Sequence, residues 1–120
     1  WGGISGLQSL LMVMISEGIN NRRLSPTIIA RILSYNPAKI FNLEKKKGAI
    51  ECGYDADFTI VDLDKEWEIT ADSLKYKNKI SAFTGLKGKG APICTIVRGK
   101  IVSENEHITI HHGYGNLIKK

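Results

Sequence analysis

Apolar residues recur at three- and four-residue steps over residues 5 to about 19, at Leu7, Leu10, Leu11, Met14 and Ile15, and Met12 and Val13 widen the stripe. That is a helical period, and its breadth predicts a largely buried helix. Gly18, Asn20 and Asn21 interrupt the pattern. Ser25 and Pro26 then supply a cap and a first-turn residue for a second helix, whose inner face is Ile28, Ile29, Ile32 and Leu33. Asn36 caps a third, short helix that begins at Pro37 and runs towards Asn42, with Ala38, Ile40 and Phe41 as its apolar content. Lys45, Lys46 and Lys47 form a solvated turn, and Gly48 and Gly53 turn the chain again.

Beyond Gly53 the period becomes strand-like. Residues 58–63 and 66–70 are two β candidates rich in β-branched and aromatic residues. Thr70 or Asp72 opens a single helical turn through Leu74, and Lys75, Lys77 and Lys79 alternate along an edge strand or extended loop, where charge discourages edge pairing. Residues 93–97 and 100–102 flank Arg98 and Gly99, the two-residue break of a β-hairpin. A last strand is expected over 107–111, followed by a tail from Gly113 that is either loose or dependent on a neighbour for order. Helices precede strands without alternation, so the fold class is α+β.

The 120 residues, 42% of them hydrophobic, suffice for one compact domain at most and are too few for a complete barrel enzyme. Trp1 is no initiator methionine and Gly2 and Gly3 follow it directly, which leads to the expectation of a piece of a larger polypeptide. Each apolar side chain of the first helix contributes roughly 1.5–3 kcal/mol when fully covered, so a piece of this kind exposes a costly face where its neighbour belongs. Lys and Arg outnumber Asp and Glu by 17 to 12, a net charge of +5. The lysines are scattered and lack interleaved aromatics or a glycine-rich cradle, which fits solvated surface and not a nucleic-acid partner. Cys52 and Cys94 stand apart with no CxxC pair, as in a reducing cytoplasm. The apolar run from Leu10 to Ile15 is far shorter than the ~20 residues that cross a bilayer, so no membrane partner is expected.

Candidate chemistry is sparse. His111 and His112 point to opposite faces of a strand, and His107 lies four residues away in a segment that is not helical; zinc requires three or four convergent ligands. Asp55 with Asp57, and Asp62 with Asp64, have the spacing of paired carboxylates, but they sit at a strand entry and a strand end, where polar groups meet water. Arg22, Arg23 and Arg31 fall outside the apolar stripes as surface charges. No serine occupies a GxSxG elbow, and both cysteines read as packing or turn residues. On its own chemistry the chain is inert.

The segments NPAKIFNL and GYDADFTIVD, together with WGGISGLQ, LKYKNKISAFTG and TIVRGKIV, cover almost the whole chain. In them it resembles the cyclic amidohydrolases and, through Trp1, Gly2, Gly3 and Gln8, their allantoinase branch; dihydroorotases often carry glutamate at the place of Gln8. The resemblance implies the last helices of a (β/α)8 barrel over residues 1–47 and part of a small β-sandwich with a tail over 48–120. It also implies a hydrolase of cyclic amides, acting on allantoin to give allantoate, with a binuclear zinc centre whose ligands lie upstream of Trp1. None of those ligands, and no catalytic residue, transfers to a position here. Only Gly2 and Gly3 resemble a loop that approaches the substrate through main-chain groups. The implied partners are a small cyclic amide and further copies of the same subunit, in a homo-oligomer. A dihydroorotase or dihydropyrimidinase fragment, or a non-catalytic amidohydrolase-like interaction protein, is the alternative.

Overall fold

The computed structural model describes residues 3–118. Its chain order is helices, then strands, as the hydrophobic period requires. Helix α1, Leu10–Val13, continues without a break into a π-wound stretch, Met14–Asn21. The wider winding places Ile15, Ser16 and Gly18 inside and carries the helix past Gly18 and Asn20, where the sequence predicts an end. Arg23, at φ 55°, stops it, and the Leu24 N–H returns to the Gly18 carbonyl at 2.9 Å.

Helix α2, Pro26–Ala30, starts where Ser25 and Pro26 predict and passes through a π-wound Arg31–Tyr35 into α3, Asn36–Ile40. Asn36 is therefore no cap: its φ and ψ of −63° and −46° are helical and the three segments are one run. The reason lies in Pro37, which lacks an N–H and presses on the preceding turn; the widened winding just before it accommodates the ring. The far end is a Schellman closure. Asn42 adopts φ 57°, the Leu43 N–H donates to Ala38 O at 2.7 Å, and the Asn42 N–H to Lys39 O at 3.1 Å.

The sheet has the order β1-β2-β3-β4, with β1 Phe58–Glu68, β2 Lys87–Val97, β3 Lys100–Glu104 and β4 His107–Ile108. The two strands expected over 58–70 are one. Pairs β2–β3 and β3–β4 are antiparallel, with an irregularity where Thr95 faces Ser103 but Ile96 faces Ile101, leaving Val102 as the extra residue. Two-residue turns join them: Arg98 and Gly99 at φ 49° and 75°, then Asn105 and Glu106 at φ 45° and 69°. Positive φ at both positions is the type I′ geometry that matches strand twist.

The chain forms two compact units, residues 1–26 with 62–91 and residues 27–61 with 92–120. In the first, the helix packs on strands through small residues. The Asn20 side-chain amide donates to Leu63 O and Lys89 O at 3.0 and 2.9 Å, the Lys89 N–H donates to Ser16 Oγ at 3.3 Å, and Trp67 Nε1 donates to Gly90 O at 2.9 Å. Ile15, Ile69, Leu74 and Ala91 are its buried apolar residues. In the second unit Ile29 and Ala38 are buried, and a Cβ on Gly48 would lie 2.6 Å from the Ala38 Cβ. That turn closes on the helix only without a side chain.

The helices are much less covered than their stripes predict. Leu7 is 87% exposed and Leu10 48%, Ile28 and Ile32 are each 43% exposed, and Ile40 is 73% exposed. The apolar faces are real, but the described residues supply no layer against them. No helix among these residues is long and apolar enough to cross a membrane.

Candidate functional site

Gly2 lies outside the described residues. Gly3 is exposed on the lead-in to α1, with open space where a side chain would project. Among the described residues its apolar side chains are largely uncovered: Ile4 is 66% exposed and Leu7 is 87% exposed. It is fastened at Gln8. The Gln8 backbone N–H donates to the Tyr76 hydroxyl at 2.8 Å, its side-chain Nε2 donates to Ser73 O at 2.9 Å, and its Oε1 accepts from the Lys75 N–H at 2.8 Å. The turn that receives it is itself locked, because the Thr70 N–H donates to Ser73 Oγ, the Ser73 N–H to Thr70 Oγ1 and the Ser73 hydroxyl to Thr70 O. Two of the sequence segments singled out above, WGGISGLQ and LKYKNKISAFTG, thus meet at one residue.

A second junction gathers GYDADFTIVD and TIVRGKIV. Lys47 is not solvated: its side chain is only 18% exposed and its ammonium pairs with Asp55 at 2.7 Å and with Asp57. Asp57 also accepts the Arg98 N–H at 2.8 Å, and the Gly99 N–H donates to Ala56 O at 2.9 Å, so the hairpin turn docks on GYDADF. Arg98 crosses the Tyr114 ring at 4.4 Å from its centroid and donates to Tyr114 O at 2.6 Å, while the Tyr114 hydroxyl donates to Val97 O at 3.0 Å. The tail is ordered at Tyr114 by these neighbours, one of the two states expected for it. Tyr54 donates its hydroxyl to Glu44 O, closing the same loop; burial, with Glu51, Tyr35 and Glu44 nearby, raises its pKa.

Burial opposes the Lys47 charge, but hydrogen bonds and attraction from Asp55 and Asp57 outweigh it, and the ammonium titrates above the ordinary lysine value of 10.5. For Asp57 burial again opposes charge, and the Lys47 and Arg98 hydrogen bonds outweigh it, holding the carboxyl below 3.8. A depressed carboxyl stabilises the fold at pH above its unfolded value and loses that contribution as pH falls through the folded one; the raised lysine contributes below 10.5 and loses it at higher pH. Asp57→Asn is therefore expected to be less stable than the unmodified protein on the neutral plateau, with the gap closing below about pH 4. Urea midpoints from pH 2.5 to 8 test this, and a gap of constant size across that range refutes it.

Sequence reasoning placed Asp55 and Asp57 correctly at the strand entry but missed their partner. The signal was available: Lys47 precedes Gly48, whose turn folds the chain back on itself. The histidines do not converge. His107, His111 and His112 are exposed, the last two lining an open concavity with Tyr114, and among the described residues no three His, Cys, Asp or Glu side chains are grouped to hold a metal ion. Asp55 and Asp57 face an ammonium instead, so the residues present here do not fit a metal centre. Cys52 is exposed, Cys94 is half-buried in β2, and both are free.

The amidohydrolase family pattern matches residues 5–102. The chain is 41% identical over 118 residues to the allantoinase of Bacillus licheniformis and 34% identical over 118 residues to the L-hydantoinase of Paenarthrobacter aurescens, covering 98% of this chain and 26% of each relative. Among solved structures it is similar to the L-hydantoinase (dihydropyrimidinase) from Arthrobacter aurescens, with a TM-score of 0.91, 35% identity, and coverage of 95% of this chain and 25% of that one. The D-hydantoinase (dihydropyrimidinase) from Thermus sp. matches with a TM-score of 0.89 at 26% identity over 95% of this chain and 25% of that one. The chain thus spans about a quarter of the length of the relatives it matches.

Proposed function

The chain belongs to the amidohydrolase family, and from that we propose that it is the closing portion of a metal-dependent cyclic amidohydrolase that hydrolyses allantoin to allantoate. The observation that carries the substrate is the 41% identity to the Bacillus licheniformis allantoinase along 98% of the chain. The allantoinase of Rubrobacter xylanophilus shares 41% as well, over 90% of the chain. A hydantoinase or dihydropyrimidinase is the second reading, favoured by the TM-score of 0.91 to the Arthrobacter aurescens structure.

In this reading residues 1–47 are the last helices of a (β/α)8 barrel and residues 48–120 belong to a small β-sandwich and its tail. The exposed apolar faces of Leu7, Leu10, Ile28 and Ile32 support the first part, because a barrel's outer helices pack on strands that the remainder of the protein would provide. Gly2 and Gly3 meet the substrate through main-chain groups, since absence of a side chain permits close approach. Zinc, as a binuclear centre, belongs to the rest of the enzyme, which works as a homo-oligomer in the cytoplasm.

Assay of the complete protein on allantoin, on a 5-substituted hydantoin and on dihydroorotate separates the readings. Preference for allantoin is expected, and preference for another ring replaces the substrate assigned here. The 120-residue chain by itself is expected to show no hydrolysis even with added zinc; turnover by the purified chain, free of the full-length enzyme, would show that the catalytic centre lies within it.

A further inference from the structure

We propose that Gln8 is a positioning residue, which holds the lead-in segment 3–7 in place by docking its peptide N–H and its carboxamide on the turn at residues 73–76. Three observations converge on it. The segment has no apolar anchor of its own, since Ile4 and Leu7 are exposed, and Gly6 only approaches the Phe83 ring, where an added Cβ would stand 3.5 Å away. The segment does have a fixed end, because the Ser9 and Leu10 N–H groups both donate to Gly6 O, at 3.1 and 2.9 Å, and Ser9 is 2% exposed. Between those points the three hydrogen bonds of Gln8, from 2.8 to 2.9 Å, are the polar restraint.

The chemistry demands an amide. Gln8 behaves as a detached peptide group, donating to one backbone carbonyl and accepting from a backbone N–H two residues further on. A glutamate of the same length keeps the bond from Lys75 but can only accept, so it would set a carboxylate against the Ser73 carbonyl. A carboxylate at this position therefore loses one of the three hydrogen bonds and puts a repulsion in its place. The turn is a firm base, with Leu74 1% exposed and its backbone closed by the Thr70 and Ser73 hydroxyls.

The kinetic consequence rests on the functional reading above, in which Gly2 and Gly3 meet the substrate; the mechanical one does not. Both are tested in the complete protein, with Gln8→Ala, Gln8→Glu and Tyr76→Phe, the last removing only the acceptor of the Gln8 N–H. Amide hydrogen exchange is expected to quicken by about tenfold or more at the hydrogen-bonded N–H groups of residues 8–10 and 73–75 together, with β2 and β3 unchanged, Glu resembling Ala, and Phe giving a smaller effect in the same direction. With allantoin as the probe, KM is expected to rise about tenfold while kcat stays within about threefold, the pattern of binding lost equally from ground and transition states. Exchange that quickens only at Gln8, or equally throughout the molecule in all three variants, overturns the proposal; an active enzyme whose exchange quickens as expected while KM does not move supports the positioning role and overturns the placement of Gly2 and Gly3 against the substrate. Should the unmodified protein hydrolyse no cyclic amide, the functional reading fails, and the exchange comparison alone decides the role of Gln8.

Discussion

Gly90→Ala is expected to lower stability by about 3–5 kcal/mol, a large part of the 5–15 kcal/mol that holds a typical domain together. Two costs add. A Cβ at this position would stand 2.1 Å from Ile15 Cγ2 and 3.2 Å from Ile15 Cβ, and Ile15 is 2% exposed with no free direction in which to retreat. The backbone at Gly90 also has φ 96°, a conformation that L side chains rarely adopt. Gly85 separates the two: its φ is 85°, but nothing lies within 4 Å of its added Cβ. Gly85→Ala is therefore expected to cost only the backbone part, about 1–2 kcal/mol. Urea unfolding followed by Trp67 fluorescence measures both. Ile15→Ala removes the nearest clashing atom, so Gly90→Ala should cost less in that background than alone. Equal costs for Gly85→Ala and Gly90→Ala would mean that helix and strand do not touch as described.

The same contact explains where the sequence was misleading. The strand was expected over residues 93–97; it begins at Lys87 and runs through Gly88, Gly90 and Pro92. Both glycines are small for the sake of a neighbour, since a Cβ on Gly88 would meet Ser16 Oγ and Trp67 at 2.5 Å. Periodicity sees a residue's own preference and cannot see the side chain facing it. By the same token the helical stripes were legible and their burial was not, because an apolar face states what it needs without stating which segment supplies it. The hairpin at Arg98 and Gly99 was legible from its two-residue spacing, although arginine is a weak turn former. What holds it at φ 49°, the Asp57 carboxylate and the Tyr114 ring, is distant in sequence. Gln8 stood out in the sequence through family resemblance alone; its contacts needed the turn at Ser73 to be seen.

Lys47→Met is expected to cost about 2–3 kcal/mol, less than the 3–5 kcal/mol for removing one member of a fully buried pair. The discount follows from exposure: the Asp55 and Asp57 side chains are 39% and 31% exposed, so water screens part of the loss. Methionine keeps the length and apolar stem of lysine, which confines the change to the charge. Without the ammonium, two carboxylates separated by one residue share a site that their own repulsion opens, and Asp57 retains only the Arg98 N–H among its partners described above. The effect should therefore reach the turn at Arg98. Lys46→Met serves as the control, because Lys46 is exposed and a surface substitution changes stability by no more than about 0.5 kcal/mol. In an Asp57→Asn background Lys47→Met should cost less, since one of the two uncompensated charges is already gone. Urea unfolding of the four variants, read by the loss of secondary structure in circular dichroism, decides the matter. If Lys47→Met and Lys46→Met cost the same, the lysine triplet is the uniform solvated turn that its sequence predicts, and GYDADF owes its place to the backbone alone.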